Sequence, residues 1–243
     1  MKLATWNVNS LKVRLSQVIA WTGRQRPDVL CLQETKLEDG NFPAEALRQA
    51  GYQACYSGQK TYNGVAIVSL ASPSDTIRGI PGFEDPQRRV LATTIGGVRI
   101  INIYVPNGES VESDKYQYKL RWLAALTAWL RDEISRFPRL AVLGDFNIAP
   151  EPRDVHDPAA WEGKVLFSKA EREAFQALLA LGLKDCFRLF EQTDRSYTWW
   201  DYRMNAFRRK MGMRIYNILL SDELALRCSS CSIDTEPRGA ELP

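Results

Sequence analysis

The sequence predicts an α/β or α+β sandwich, and three observations carry that expectation. Short apolar runs of strand length alternate with helical periodicities. A two-glycine turn, Ile95-Gly96-Gly97-Val98, joins two of the strands into a hairpin, which a strict βαβ repeat would not contain. No internal repeat, low-complexity tract or Gly/Ser linker interrupts the 243 residues, so residues 1–243 read as a single domain.

The elements follow in order. Leu3 to Val8 reads as a strand. Leu11, Leu15, Val18, Ile19 and Thr22 then recur at helical spacing until Pro27 stops the helix. Val29 to Leu32 is a short apolar run of the buried-strand type. Val65–Leu70, Val90–Ile95 and Val98–Val105 are further strands. A long helix spans Lys115 to Phe137, with Leu120, Leu123, Leu130 and Ile134 toward the core, and Pro138 ends it. Leu140 to Leu143 is another buried strand. Ser168-Lys169-Ala170-Glu171 has the capping-box pattern and starts a helix carrying Phe175, Leu178 and Leu179, with Gly182 beyond its end. Ile215–Leu220 and Cys231–Thr235 are expected as late strands.

Composition bounds the chemistry. The chain is 45% hydrophobic and 25% charged, the balance of a globular protein able to bury a core. No apolar stretch approaches the roughly 18 residues of a membrane span. The N-terminal residues lack the apolar region of a secretory signal, so no membrane association and a cytoplasmic location are expected. One histidine, His156, excludes a two-histidine metal site or a histidine relay within the chain. Five cysteines form an odd set suited to reduced thiols. Cys228-Ser229-Ser230-Cys231 is a CxxC, but without a second pair it does not read as a zinc ribbon, and its place near the chain's end is unusual for a redox motif. A metal here is therefore expected to take oxygen ligands, which favours magnesium or manganese.

Net charge is +3. From Arg203 to Arg214, five cationic residues occur without an acidic one, with Phe207, Met211 and Met213 between them. That stretch is either a solvated basic face or a strip contacting phosphates. Neither the Gly-rich phosphate loop nor the dinucleotide fingerprint is present.

The most informative feature is where polar residues interrupt apolar strands: Asn7 with Asn9, Gln33-Glu34-Thr35-Lys36, Tyr104 with Asn107, and Asp145 with Asn147. Because strand side chains alternate between faces, Asn7 and Asn9 share one face, as do Asp145 and Asn147. Each piece alone is an ordinary turn or rim residue. If the four ends converge, they make an oxygen-rich pocket for a hard divalent ion beside groups able to orient water and bind a phosphate.

Thr5-Trp6-Asn7-Val8-Asn9, Leu32-Gln33-Glu34-Thr35-Lys36, Tyr104-Val105-Pro106-Asn107-Gly108, Gly144-Asp145-Phe146-Asn147 and Thr198-Trp199-Trp200-Asp201-Tyr202 together resemble the motifs of the exonuclease III family of apurinic/apyrimidinic endonucleases, its bacterial branch most closely. Gly58-Gln59-Lys60 and Asp85-Pro86-Gln87-Arg88-Arg89 fit between them, and the resemblance runs from residue 1 to about 239. It implies a four-layer sandwich of two mixed β-sheets flanked by helices. It also implies a monomer that hydrolyses double-stranded DNA, using Mg²⁺ or Mn²⁺, at abasic sites or 3′ ends.

Carried onto this sequence, the resemblance gives Asn7 and Glu34 to the metal, with Asp145 and Asn147 as further candidate ligands. Tyr104 contacts the scissile phosphate, Asp145 orients or deprotonates water, Asn147 stabilises the transition state and Asn107 touches a phosphate oxygen. Trp199, Trp200 and Ile215 line the pocket for a flipped-out abasic sugar. Tyr62, Arg88 and Arg89 lie along the DNA backbone.

Two departures stand against full activity. The family's Ser-Asp-His segment and closing strand do not appear before Pro243, and Tyr216 stands where the family places an aspartate after Arg-Ile. These predict impaired catalysis, with an inactive nucleic-acid-binding protein on the same fold as the alternative. His156 lies in a loop-like stretch and is expected on the surface. The same fold also hydrolyses inositol phosphates and sphingomyelin, but Trp199-Trp200, Gln87-Arg88-Arg89 and the basic stretch favour DNA.

Overall fold

The computed structural model describes residues 1–203 and 205–239. In chain order the elements are β1 (Leu3–Asn7), α1 (Leu11–Gln25), β2 (Val29–Gln33), α2 (Ala44–Gln49), β3 (Gln53–Ser57), β4 (Val65–Ser69), β5 (Ser74–Arg78), β6 (Val90–Ile95), β7 (Val98–Tyr104), α3 (Asp114–Arg136) and β8 (Leu140–Asp145). They continue with α4 (Pro158–Trp161), α5 (Lys169–Leu179), β9 (Lys184–Asp185), β10 (Trp199–Trp200), β11 (Gly212–Met213), β12 (Tyr216–Leu220) and α6 (Asp222–Ala225). No helix among the described residues is long and apolar enough to cross a membrane. Two compact units make up the chain, each discontinuous: residues 1–104 with 137–145, and residues 105–136 with 146 onward.

The first unit contains two mixed sheets. One has the strand order β1-β2-β4-β3, with β1 and β2 parallel and the other pairs antiparallel. The other runs β5-β6-β7-β8, antiparallel except for the parallel β7–β8 pair. The β6–β7 hairpin closes as expected: Gly96 and Gly97 both sit at positive φ (56° and 75°), which a tight two-residue turn between twisted strands demands. In β2 the residues alternate. Leu30 and Leu32 pack with Leu11, Val18 and Trp21 of α1, while Gln33 turns to the opposite sheet.

There Gln33 Nε2 donates to Asn102 Oδ1 (2.8 Å), and Asn102 Nδ2 donates to the carbonyls of Leu32 (2.9 Å) and Ala66 (2.8 Å). Both side chains are fully buried. The donors of this polar bridge are paired in one register only, because slipping either sheet by a residue would leave those buried amides unpaired at about 1–3 kcal/mol each.

The second unit is built on α3 and α5. The buried stripe of α3 is Tyr116, Lys119, Leu123, Leu126, Leu130 and Glu133, with Trp122 and Trp129 beside it. Leu120 and Ile134, expected toward the core, are half-buried on its flank. Helix α5 starts at the predicted capping box: Ser168 accepts from the Glu171 amide, and Glu171 accepts from the Ser168 amide. Strand β12 pairs antiparallel with β9, and β10 with β11.

The strand expected at Cys231–Thr235 is not formed, and the segment is irregular. It alternates apolar and polar residues weakly and half its side chains are exposed, so no apolar face exists to repay the ordering of a strand. Expectations for the segment after Gly239 lie outside the described residues.

Candidate active site

In the first unit, four strand ends deliver four polar side chains to one place. β1 and β2 run in parallel register with Asn7 opposite Gln33, so both chains leave the sheet at the same level. Asn7 Nδ2 then donates to Glu34 Oε1 (2.8 Å) and to Asp145 Oδ2 (2.9 Å), while Asn7 Oδ1 accepts from the Asn9 amide (3.0 Å). Asn9, Glu34 and Lys36 all hold positive φ (45°, 52° and 54°), a backbone state that costs non-glycine residues energy and that clusters at functional sites. The Thr35 and Lys36 amides are pinned to the carbonyls of Gly64 and Asn63. Lys36 Nζ lies 3.1 Å from Glu34 Oε2 and 2.5 Å from Asn9 Oδ1.

Tyr104 and Asp145 are Cα partners at the end of the parallel β7–β8 pair. Gly144, just before Asp145, sits at φ 151°, where an added Cβ would come within 1.9 Å of the Ile103 carbonyl oxygen. Only glycine lets β8 approach β7 this closely, and that approach sets Asp145 beside Asn7. Asp145 is 3% exposed. The Arg89 guanidinium lies 4.6 Å from the Tyr104 ring centroid and also donates to the Tyr104 carbonyl and Gln87 Oε1. Burial, then the charges of Glu34 and Asp145 and a hydrogen bond to Glu34, push the Tyr104 phenol well above the ordinary tyrosine range. It is a fixed proton donor at any physiological pH.

Two carboxylates held by one amide, with a single lysine at the rim, form an acidic, oxygen-rich cluster. Its donor set fits a hard divalent cation: Glu34 and Asp145 supply charge, and rotating the Asn7 amide would present an oxygen in place of its N–H. The described residues contain no group of three His, Cys, Asp or Glu side chains placed to bind a metal, so the amide is an integral part of this set.

In the second unit, Asn147 (φ 49°) donates to the Val105 carbonyl (2.8 Å), and Asn107 Nδ2 reaches Asn147 Oδ1 at 3.4 Å. Their backbones are tied by Lys119, whose Nζ donates to Asn107 O (3.1 Å), Asn147 O (2.7 Å) and Glu171 Oε1 (2.5 Å). Lys119 and Glu171 are both fully buried. The sequence reading marks Glu171 only as a capping residue and passes over Lys119, although a signal exists: Lys119 falls three residues after Tyr116 and four before Leu123, on the apolar stripe where a solvated lysine does not belong.

The aromatic pair is split. Trp199 packs with Ile215, Met213 and Tyr216, whereas Trp200, on the opposite face of its strand, packs with Tyr197, Ala206 and Phe207. The amides of Ile215 and Tyr216 both donate to Thr198 Oγ1 (2.9 and 3.0 Å), which fixes Tyr216 against this cluster.

The basic stretch is also divided. Arg214 is 1% exposed and clamped by Asp154 (2.7 Å) and Asp185 (2.7 Å), so it is no part of a solvent-facing strip. Arg203 pairs with Asp201 at 2.8 Å, leaving Arg208, Arg209 and Lys210 exposed. Tyr62 and Arg88 are exposed, while Arg89 is engaged against Tyr104. His156 is half-buried, with Nδ1 3.3 Å from the Gly212 carbonyl and its ring edge-on to Trp161.

Comparison with known proteins agrees with this architecture. The Endonuclease/Exonuclease/phosphatase family matches residues 4–238. Exodeoxyribonuclease III of Haemophilus influenzae is 35% identical over 256 aligned residues, covering all of this chain and 96% of the relative. Among solved structures, a Neisseria NExo variant described as a 3′ phosphatase bound to a product DNA hairpin is 50% identical, covers all of this chain and 95% of that one, and superposes with a TM-score of 0.99. An AP endonuclease from Archaeoglobus fulgidus is 41% identical over the same shares, with a TM-score of 0.96. Two mixed sheets flanked by helices, the polar strand ends and full-length similarity to these proteins lead to one conclusion: the chain belongs to the endonuclease/exonuclease/phosphatase family, as a hydrolase of the exonuclease III type.

Proposed function

We propose that the chain is a DNA phosphodiesterase dependent on Mg²⁺ or Mn²⁺, acting on double-stranded DNA 5′ to abasic sites or at 3′ ends. The observation that carries this reading is the Asn7–Glu34–Asp145 constellation beside a Tyr104 phenol that stays protonated. In the reaction, water attacks phosphorus, the bond to the 3′ oxygen breaks, and that oxygen leaves and takes a proton from solvent water. Glu34, Asp145 and Asn7 would hold the metal, which when bound would neutralise charge on the phosphate. Asp145, shielded from bulk water, orients the attacking water and accepts its proton. The Tyr104 hydroxyl donates to a nonbridging oxygen, worth most where charge accumulates in the transition state.

Asn107 and Asn147 are assigned amide donation to phosphate oxygens, their backbones held by Lys119. Trp199 and Ile215 are assigned the wall facing a flipped-out sugar, with Trp200 supporting it from the reverse face. Tyr62, Arg88 and the exposed Arg208, Arg209 and Lys210 are assigned to backbone phosphates, which makes binding salt-dependent. The chain is expected to act as a cytoplasmic monomer.

The rate is proposed to be reduced relative to the family. Tyr216 offers a phenol where the resemblance implies a carboxylate, so a negatively charged orienting group is replaced by a neutral one. That substitution also favours the second reading, a protein that binds DNA without cutting it.

The deciding experiment uses an end-labelled duplex with one abasic-site analogue, incubated with Mg²⁺ or with chelator, beside a gel shift on the same duplex. Metal-dependent cutting 5′ to the lesion, lost in Asp145→Asn, supports the proposal. Binding without cutting leaves the second reading. Neither binding nor cutting by a folded chain overturns both.

A further inference from the structure

Three of the five thiols gather at one place in the second unit. Cys186 opens a short 3-10 turn directly after β9, and Cys228 and Cys231 lie in the loop that follows α6. The Sγ atoms of Cys186 and Cys228 are 3.4 Å apart, and Cys231 lies beside the same Cys186 thiol. Cys186 is 5% exposed, whereas both cysteines of the CxxC are half-exposed and open to a small oxidant. We propose that this cluster is a reversible thiol–disulfide site, in which a peroxide oxidises the CxxC segment and bridges it to Cys186. The proposal does not depend on the nuclease reading.

The three thiols have distinct roles. The hydrogen bond from Cys186 holds the Cys231 thiol below its ordinary range; burial and the Asp185 carboxylate oppose this, and the Arg214 guanidinium adds to it. Cys186 is shifted the other way, its proton engaged by Cys231 and its side chain buried. Cys231 is therefore the attacking thiolate.

Its sulfur forms a bond to one peroxide oxygen, the O–O bond breaks, and hydroxide leaves and takes a proton to become water. The Cys231 sulfenic acid is then attacked by the Cys186 sulfur. An S–S bond forms, the S–O bond breaks, and a second water departs. Overall two thiols lose two electrons and two protons, and the peroxide is reduced to two waters. Cys228 can next displace Cys231 from the bridge, moving the disulfide to the Cys186–Cys228 pair. Closing those sulfurs from 3.4 Å to the bonded distance of about 2.05 Å needs only a side-chain adjustment.

The other two thiols form an internal control. Cys31 is fully buried and Cys55 nearly so, both in the first unit. Burial raises the Cys31 thiol well above its ordinary value and pushes Cys55 up to about 11.

The test treats the full chain with hydrogen peroxide, alkylates the remaining thiols and maps tryptic peptides without reduction. Two thiols should be lost per chain and restored by dithiothreitol, with the peptide 185–188 linked to the peptide 228–238. Cys231→Ser should slow this loss about tenfold or more, and Cys186→Ser should abolish the link. Cys186→Ala, checked for a native tryptophan emission spectrum, separates loss of the thiol from loss of the fold. A bridge confined to Cys228–Cys231 would overturn the role of Cys186. Oxidation of Cys31 and Cys55 first, or an unchanged rate in Cys231→Ser, would overturn the site.

Discussion

Two regions of the protein each bring a pair of carboxylates together, and they treat them in opposite ways. In the second unit, Asp154 and Asp185 clamp the buried Arg214, which also donates to Asn217 Oδ1 at 2.5 Å; Arg188 adds a further bond to Asp154. Burial works against the Arg214 charge, but the hydrogen bonds and charges of the two aspartates outweigh it and hold the guanidinium above its usual range. In the first unit, Glu34 and Asp145 meet at an amide, and Lys36 sits at the rim, 3.1 Å from Glu34. A permanent internal cation makes the first arrangement a closed structural knot. The second keeps its charge available for a cation from solution, and that distinction, not the presence of paired carboxylates, separates a site from a strut.

The sharpest way to break the comparison is to neutralise one carboxylate in each region. Asp145→Asn removes the proposed proton acceptor and should reduce metal-dependent cleavage by up to about 10⁴-fold, roughly 5 kcal/mol, while leaving the denaturation midpoint nearly unchanged. An equally large loss of stability would place Asp145 among the struts. Arg214→Met should behave in reverse. It strips Asp185 of its clamp and leaves Asp154 to Arg188 alone, and should cost about 3–5 kcal/mol of folding stability, read from urea denaturation. A variant as stable as the parent would contradict the clamp.

Glu34→Gln tests whether the open cluster takes a cation. The rise in melting temperature on adding Mg²⁺ or Mn²⁺ should require about tenfold more metal, since affinity follows the number of charged ligands. No metal-induced rise in the parent chain would remove the comparison's functional half.

The smallest effect concerns Tyr104. Its phenol titrates above the unfolded value of about 10, so the native state binds that proton more tightly. The stability it contributes is complete below pH about 10 and is lost as pH rises toward the folded value. Tyr104→Phe should therefore flatten the alkaline fall in stability between pH about 9 and 11 and leave neutral stability little changed. An identical alkaline slope in both proteins would show that Tyr104 does not titrate this way.

Much of this was legible before any coordinates. The β6–β7 hairpin, the α5 capping box and the proline stops act over a few residues, so local chemistry announces them. β3 and β5 escaped notice because Gln53–Ser57 and Ser74–Arg78 are polar and only partly buried, with little periodic signal to read. The polar strand ends marked Asn7, Glu34, Tyr104 and Asp145 as candidates because an amide or carboxylate ending an apolar strand is conspicuous in any order. Their company was not conspicuous: Asn7 and Asp145 are 138 residues apart and lie on different sheets, and only the packing of one sheet on the other joins them.

Residue type and local period determined the strands, the helices and their caps, because those depend on neighbours within one or two turns. The tertiary structure decided the status of each charge. Arg214 reads in the sequence as part of a basic stretch, solvated or contacting phosphates, and is a buried knot in the fold, as is Lys119, while Lys36 keeps its place at the rim. Cys186, one of an odd set of thiols in the sequence, lies against Cys228 of the CxxC more than forty residues away. Burial and long-range pairing set what a titratable group can do, and neither is written in the few residues beside it.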